Sequence, residues 1–196
     1  MGVWPLSKKY RVGKWFEERF LLSADHVVSL THAGIRELER FDYLRGAMPP
    51  SSVIPTCADL LRFKPQKGPK RGLVLGYVGS VGTWYLFDEV VEAFRLLLEL
   101  RPEAQLLVIN RNDHTYIRER LGVGGVPMEA VEIRAATHAE VPAQMARMHA
   151  GIFFIKPVCS KQASAPTKLA EILGCGIPCL ANEGVGDMAE VLGDRP

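Results

Sequence analysis

The segment 164–171, Ser-Ala-Pro-Thr-Lys-Leu-Ala-Glu, combines residue types that could bind an anion beside a sugar. Its proline suits the first turn of a helix, because its φ is fixed and its missing N–H would have no intrahelical partner there. We expect the amides of Thr167, Lys168 and Leu169 to be free at the helix N-terminus, where the dipole favours negative charge. Lys168 adds a positive charge, and Glu171 lies three residues on, on the same face. The segment predicts a site for a phosphate and a hydroxylated ring; the alternative is an amphipathic helix with a solvated lysine–glutamate pair.

The elements that would position this segment follow a regular alternation. From residue 73 onward, apolar runs alternate with helical patterns, which is typical of a parallel α/β sheet. The predicted strands span residues 73–78, 105–110, 131–135, 151–156 and 177–182, and the predicted helices span 86–100, 114–121, 140–149 and 166–175. We expect a Rossmann-like sheet with helices on both faces and right-handed crossovers. Ligands of such sheets bind outside the carboxyl ends of the strands, so the loops there are the candidate site.

The first 55 residues show shorter elements. Predicted helices span 14–22 and 31–43, the second with Thr31 as N-cap, and predicted strands span 25–30 and 52–54. A polar stretch at 64–70 that contains proline and glycine is typical of a hinge.

Two further stretches give these patterns a family context. After residue 171, the run 174–182, Gly-Cys-Gly-Ile-Pro-Cys-Leu-Ala-Asn, forms a Gly-x-Pro turn into a strand. Together with 164–171 it resembles the donor-binding half of GT-B-fold nucleotide-sugar glycosyltransferases, glycosyltransferase family 4 (group 1) in particular. The run 53–65, Val-Ile-Pro-Thr-Cys-Ala-Asp-Leu-Leu-Arg-Phe-Lys-Pro, resembles the interdomain linker of that family.

The resemblance implies a division of the chain. Residues 1–55 would be the C-terminal fragment of the acceptor-side Rossmann domain, 56–70 the interdomain linker, and 71–196 the donor-binding domain, incomplete at its C-terminus. The chain is then expected to be a piece of a two-domain enzyme.

The resemblance also implies a set of site residues. Lys168 would be the catalytic residue, because with the helix amides it would neutralise the leaving nucleoside diphosphate. Glu171 would hold the ribose hydroxyls. The full set of implied donor-binding residues is Gly79, Ser80, Gly82, Ala135, Ser164, Thr167, Lys168, Leu169 and Glu171.

The sequence departs from the family pattern at two places. Many members carry an arginine and a lysine shortly after the glycine loop 79–83, whereas residues 84–87 are Trp-Tyr-Leu-Phe here. Two phosphate contacts are therefore missing unless Lys161 or Arg134 replaces them. The first acid of the family's glutamate pair, eight residues before Glu171, is Ala163, which puts the orientation of the transferred sugar in doubt.

Two more loops follow predicted strands. The loop 135–138, Ala-Ala-Thr-His, would flank the nucleobase by analogy, and His138 is expected to cap the following helix. The loop 184–187, Gly-Val-Gly-Asp, matches a run that closes the site near the sugar in one branch of the family; the alternative is a glycine-rich turn that caps a helix. The glycine loop 79–83 has its own alternative, a tight strand-to-helix turn.

Composition excludes several classes of function. With 196 residues, 47% of them hydrophobic, the chain can form a core, and a net charge of +2 gives no support for nucleic-acid binding. There is no apolar run of about 18 residues and no signal-peptide pattern. Cys57, Cys159, Cys175 and Cys179 are expected to be buried, reduced thiols rather than metal ligands or disulfides. We also expect no metal, because the Asp-x-Asp motif of the other major glycosyltransferase fold is absent.

The N-terminal stretch is both basic and aromatic. It could contact a membrane that carries a lipid-linked acceptor, and the alternative is a helix separated from the rest of its own domain. The residues concerned are Lys8, Lys9, Arg11 and Lys14 with Trp4, Trp15, Phe16 and Phe20.

The family resemblance thus implies a retaining, metal-independent hexosyltransferase of polysaccharide or glycolipid synthesis. It would move a sugar from a nucleotide-diphosphate donor to a glycan or lipid-linked acceptor, without a cofactor, in the cytoplasm or at the inner membrane face. The alternative is a non-catalytic nucleotide-binding module, which Ala163 and the missing cations favour.

Overall fold

The N-terminal part contains two helices and a small parallel sheet. The computed structural model describes residues 7–66 and 72–193. Helix α1 spans Lys8–Leu22, strand β1 Val27–Ser29, helix α2 His32–Leu38 and strand β2 Ser51–Val53, and β1 pairs with β2 in parallel. As predicted, Thr31 is the N-cap of α2, since its side chain accepts a hydrogen bond from the amide of Gly34 at 2.9 Å. The predicted helix 31–43 ends early, and a 3-10 turn at Asp42–Leu44 follows it.

A five-stranded parallel sheet dominates the rest of the chain. Its strands are β3 Val74–Val78, β4 Gln105–Ile109, β5 Val131–Arg134, β6 Ala150–Ile152 and β7 Cys179–Leu180, in the spatial order β5-β4-β3-β6-β7. The helices are α3 Phe87–Leu100, α4 His114–Val123, α5 Val141–Met145, α6 Thr167–Gly174 and α7 Met188–Leu192, with 3-10 turns at Met128–Ala130 and Cys159–Lys161. The sheet is flanked by helices, so the predicted fold class is confirmed.

The core lies between this sheet and its helices. Helix α3 buries Val90, Val91 and Phe94, which the sequence spacing places on one face. Met145 and Met148, which lie within the predicted helix 140–149, are also fully buried. Only residues 141–145 of that stretch are helical, however, and residues 146–149 lead directly into β6.

The last two strands are shorter than predicted. The runs 151–156 and 177–182 form ladders only within β6 and β7. Beyond them, the Asn182 side chain accepts a hydrogen bond from the Ile155 amide at 2.8 Å and donates one to the Ile155 carbonyl at 2.9 Å. The Asn182 side chain thus satisfies the backbone groups of Ile155 in place of further strand pairing, and both segments continue as loops at the end of the sheet.

The N-terminal part contacts the loops that follow β6 and β7. The carboxylate of Asp187 accepts hydrogen bonds from the first amides of α2, those of His32 at 2.6 Å and Ala33 at 2.8 Å. Thr31 Oγ1 donates to the Ala163 carbonyl at 3.2 Å. The loop 184–187 therefore caps helix α2, which belongs to the N-terminal part of the chain and not to the five-stranded sheet domain. The predicted hinge 64–70 lies partly outside the described residues.

Helix α1 lies on the surface with one face against the 3-10 turn after α2. Tyr43 donates a hydrogen bond to Glu17 at 2.7 Å, and Lys14 Nζ lies 4.2 Å from the centre of the Phe41 ring. Lys14 is therefore turned toward the body of the protein rather than toward a membrane. Trp4 lies outside the described residues.

The cysteines differ from one another in exposure. Cys57, Cys175 and Cys179 are free thiols. Cys175 is buried and Cys179 half-buried, but Cys57 is exposed, so the expectation of buried thiols is wrong for it. Burial raises the pKa of Cys179 to about 12. The side chain of Cys159 lies outside the described residues.

Candidate functional site

The strand order places a topological switch point between β3 and β6. The chain leaves β3 for β4 and β5 on one side, then returns to β6 and β7 on the other. A crevice outside the carboxyl ends of the strands forms at such a point. The loop 79–86 after β3 and the loop 153–166 after β6, which leads into α6, both lie there. The fold therefore brings together the glycine loop and the segment 164–171, as the sequence predicts.

The glycine loop is held at its start by hydrogen bonds to the sheet. The Gly79 amide donates to the Ile109 carbonyl at 2.9 Å, and the buried side chain of Asn110 donates to the Gly79 carbonyl at 2.9 Å. The Tyr77 hydroxyl donates to the Ser80 carbonyl at 2.6 Å. Gly79 has a φ of 116°, which favours glycine. Ser80 itself is exposed, so the loop presents a polar surface on a fixed backbone.

The second half of this loop pairs with the polypeptide that follows β6. Tyr85 forms an antiparallel bridge with Ile155, and the Lys156 amide donates to the Trp84 carbonyl at 2.9 Å. The turn that leads to this pairing contains Gly82, with a φ of 83°, and Thr83, with a φ of 40°. Trp84 and Tyr85 are therefore part of a backbone pairing that joins the loop after β3 to the segment after β6.

Lys168 lies beneath the glycine loop rather than in open solvent. Its Nζ is 3.7 Å from the ring centre of Tyr85, 5.2 Å from that of Tyr77 and 5.3 Å from that of Phe153. A Cβ at Gly79 would come within 2.8 Å of this Nζ, so the glycine makes room for the ammonium. Burial lowers the pKa of Lys168 to about 7, although Cys179 and Glu171 oppose the shift.

The N-terminus of α6 differs in detail from the prediction. Pro166 is the N-cap, with an extended ψ of 116°, and Thr167 is the first helical residue. The Leu169 amide donates to the Pro166 carbonyl at 3.0 Å, so the expectation that it is free is wrong. The amides of Thr167 and Lys168 make no hydrogen bond to any residue that the structure describes, and they are the two available to an anion.

Glu171 faces a histidine and, through it, an arginine. His138 Nε2 lies 3.4 Å from the Glu171 carboxylate, and Arg62 Nη1 lies 2.8 Å from His138 Nδ1. A guanidinium can only donate, so Nδ1 accepts and the proton of the neutral imidazole is on Nε2, facing Glu171. Phe63 packs against the His138 imidazole in an edge-to-face arrangement, with the two ring centres 5.4 Å apart. These residues thus join the stretch 53–65 to the predicted ribose site.

His138 does not cap the helix that follows it. Glu140 is the N-cap of α5, and its carboxylate accepts from both the amide and the hydroxyl of Thr137 at 2.8 Å. The expectation of a capping histidine is therefore wrong. Ala135, predicted to flank the nucleobase, is exposed at the end of β5, and its loop reaches the site through His138.

The two cations proposed as replacements lie in different places. Arg134 is bound to Gln144 at 2.8 Å and to Glu132 at 3.4 Å, away from α6. Lys161 Nζ lies 5.3 Å from the ring centre of Trp84, on the loop beside the site. Lys161 is thus the second cation that the fold brings near the glycine loop.

A crevice of about 520 Å³ lies on a different side of α6, between this helix and the N-terminal part. Of the predicted site residues, Ser164 and Leu169 line it, whereas Lys168 and Glu171 do not. Most of its remaining lining is apolar, with Leu30, Val53, Leu173 and Val191 among the residues. The predicted site residues therefore face two separate surfaces.

Three features of the site escape sequence reasoning. Tyr77 and Phe153 read as ordinary strand residues, and nothing in the order of residues links Arg62 to His138, 76 positions away. Tyr85 carries a signal, since it belongs to the stretch 84–87 in which the resemblance implies an arginine and a lysine. Among the described residues, no helix is long and apolar enough to cross a membrane.

Comparison with solved structures identifies what this arrangement is similar to. WaaG, a glycosyltransferase involved in lipopolysaccharide biosynthesis, aligns with a TM-score of 0.72 and 18% identity, over 99% of this chain and 54% of WaaG. A TarM variant from S. aureus, in complex with fondaparinux, alpha-GlcNAc-glycerol and UDP, aligns with a TM-score of 0.69 and 11% identity, over 94% of this chain and 36% of TarM. This chain has the fold of these glycosyltransferases.

A third solved structure has the same fold. The pneumococcal O-GlcNAc transferase GtfA, in complex with UDP and GlcNAc, aligns with a TM-score of 0.65 and 12% identity, over 90% of this chain and 34% of GtfA. The chain thus spans only about a third to a half of the structures it matches. No protein-family model and no curated protein sequence matches the chain.

Proposed function

We propose that this chain forms the donor side of a nucleotide-sugar glycosyltransferase. The observation that carries the proposal is the convergence of Lys168, two free amides of α6 and the carboxylate of Glu171 at the switch point of a glycosyltransferase fold. TarM and GtfA were each solved with UDP, which makes UDP the first nucleotide to test.

The chemistry of the proposed site is electrostatic. When the sugar departs, negative charge develops on the diphosphate, and the amides of Thr167 and Lys168 with the Lys168 ammonium would stabilise it. A bound diphosphate favours the ammonium form, so ligand binding would offset the lowered pKa of Lys168. Glu171 would accept hydrogen bonds from the two ribose hydroxyls. By this proposal the reaction is retaining and independent of metal, as in glycosyltransferase family 4.

The acceptor is proposed to be a glycan or a lipid-linked glycan at the inner face of a membrane. The support is the exposed face of α1, where Trp15, Phe16 and Phe20 are exposed and Arg19 lies over the Trp15 ring. An interleaved aromatic and basic helix face suits an anionic lipid surface.

Calorimetric titration of the chain with UDP, GDP and ADP tests the proposal. We expect one of the three to bind at micromolar concentration, about −8 kcal/mol, with no need for added metal. Lys168→Met and Glu171→Gln should each weaken binding at least tenfold. The matched control is Arg134→Met, which removes a cation that lies away from α6. If no diphosphate binds to the folded chain, the proposal is wrong.

The ribose role has its own test. If Glu171 holds the vicinal hydroxyls, the 2′-deoxy form of the bound nucleotide should bind more weakly than the ribo form to the parent chain. The two forms should bind alike to Glu171→Gln, because the selective acceptor is gone. If the parent chain and Glu171→Gln prefer the ribo form over the 2′-deoxy form equally, another residue binds the ribose hydroxyls.

A non-catalytic nucleotide-binding module is the second candidate. Ala163 in place of the first acid and the missing cations after Gly82 favour it. Slow hydrolysis of the sugar nucleotide by the chain distinguishes the two, because a purely binding module leaves the sugar–phosphate bond intact.

A further inference from the structure

The two aromatic residues of the loop after β3 each lie against a lysine from the segment after β6. Tyr85 lies 3.7 Å from the Lys168 ammonium and Trp84 lies 5.3 Å from that of Lys161, ring centre to nitrogen. The bridge between Tyr85 and Ile155 fixes this register through the backbone. The loop therefore contributes ring faces to the lysines at the position where the family resemblance implies cations.

Lys168 depends on these rings more than a surface lysine would. Its Nζ is fully buried, and it is the one such side-chain atom without a hydrogen-bond partner among residues 7–66 and 72–193. A buried ammonium that lacks an acceptor loses its hydration and needs another source of stabilisation. The face of an aromatic ring supplies one, since its quadrupole attracts a cation within about 6 Å. Tyr85 is nearer to Nζ than either Tyr77 or Phe153.

We propose that Tyr85 is a positioning residue, whose ring face keeps the Lys168 amine charged and directed at the underside of Gly79. The proposal rests on the proposed function, because the ammonium is useful there only if an anion binds above the glycine loop. Gly79 allows this placement, since a Cβ there would come within 2.8 Å of the ammonium. A buried cation held by a ring would thus serve at the loop where the family resemblance implies an arginine and a lysine.

The other ionisable groups around this amine are few. Glu171 on α6 favours the ammonium, whereas Cys179 on β7, whose pKa burial raises to about 12, is a neutral thiol near pH 7. Tyr77 and Tyr85 face it from β3 and the glycine loop, and burial raises the pKa of both hydroxyls, so neither is charged near pH 7. A change in the titration of Lys168 on replacing Tyr85 therefore reports the ring itself.

The test compares Tyr85→Phe with Tyr85→Leu in the full chain. The Lys168 amine is titrated by NMR in protein labelled at lysine, with its resonance assigned by its loss in Lys168→Met, and UDP affinity is measured by calorimetry. Phenylalanine keeps the ring face, so we expect both readouts to match the parent chain. Leucine keeps the site dry but lacks the face, so we expect the ammonium-to-amine ratio at pH 7 and the UDP affinity each to fall about tenfold.

The matched control is Tyr116→Leu, which removes an exposed tyrosine from α4. It should leave both readouts unchanged. An unaltered Lys168 titration in folded Tyr85→Leu would overturn the proposal, and so would a shifted titration with unaltered UDP affinity. If the parent chain binds no nucleoside diphosphate at all, the proposed function fails first and the positioning role falls with it. The titration, which needs no ligand, separates these two failures.

Discussion

At the scale of single residues, Lys168 is where stability and proposed function oppose each other. Its side chain is buried among rings with no hydrogen-bond acceptor, and its pKa is lowered to about 7. In the unfolded chain a lysine titrates near 10.4. Between these values the unfolded state binds more protons than the folded state, so stability rises with pH across this window.

This linkage gives a prediction for Lys168→Met, which keeps the length of the side chain and removes the charge. The variant should be more stable than the parent at pH 6, where the parent holds a buried ammonium. The advantage should shrink by about 1–3 kcal/mol between pH 6 and pH 9. Urea denaturation of both proteins at the two pH values measures it. A difference that does not depend on pH would show that Lys168 titrates normally in the folded chain.

Residue types alone identify part of this site. The segment 164–171 is placed correctly at the switch point, and Thr31 is the N-cap that its position predicts. The contacts of Lys168 with Tyr85, and of His138 with Glu171, join loops from different strands. They depend on the strand order, which local patterns do not determine. Nor does the sequence predict that the Lys168 amine is buried beneath the loop, where Gly79 leaves room for it.

At the scale of elements, the sequence predicts the helices and strands better than their ends. All five strands of the large sheet lie where apolar runs indicate them, and α3 and α6 differ from prediction by one residue at most at each end. The strands β6 and β7 stop early because Asn182 replaces their backbone pairing by side-chain hydrogen bonds. Such a replacement leaves no trace in hydrophobic periodicity.

The prediction for the elements concerns the loop 184–187 and its contribution to stability. Gly186 has a φ of 50°, and a Cβ there would collide with the carbonyl of Ser164. Gly186→Ala should therefore displace the loop and with it Asp187, which caps α2, and lower the free energy of unfolding by about 2–4 kcal/mol.

The matched control is Gly46→Ala, at a φ of 75° with nothing within 4 Å of the added Cβ. It carries the same kind of backbone strain without the collision, and should cost only about 1 kcal/mol. Urea denaturation compares the two variants. If both lose the same stability, the packing of Gly186 against Ser164 contributes nothing.

At the scale of the whole molecule, the parallel sheet and its flanking helices could be predicted from the alternation of patterns. The way in which the N-terminal part contacts the sheet could not, because it depends on single contacts such as Asp187 with His32. The division at residues 55 and 70 stays a prediction. Binding of a lipid surface by the exposed face of α1 likewise depends on the whole folded molecule and not on the helix alone.

A vesicle experiment tests that surface. Phe20 is 69% exposed on α1, near Trp15 and Phe16. We expect the chain to sediment with vesicles that contain phosphatidylglycerol and not with vesicles of phosphatidylcholine alone, and Phe20→Glu should weaken binding roughly tenfold. Val123→Glu, at a position 71% exposed on α4, is the control and should bind like the parent. Equal binding by both variants would exclude α1 as the contact.

The central claim is that the N-terminus of α6 receives the diphosphate. The most direct measurement is a crystal structure of the chain with UDP bound. We predict phosphate oxygens against the amides of Thr167 and Lys168, the Lys168 ammonium within reach, and ribose hydroxyls on Glu171. A diphosphate in the crevice lined by Leu30 and Leu173, or at any surface away from α6, would contradict the account.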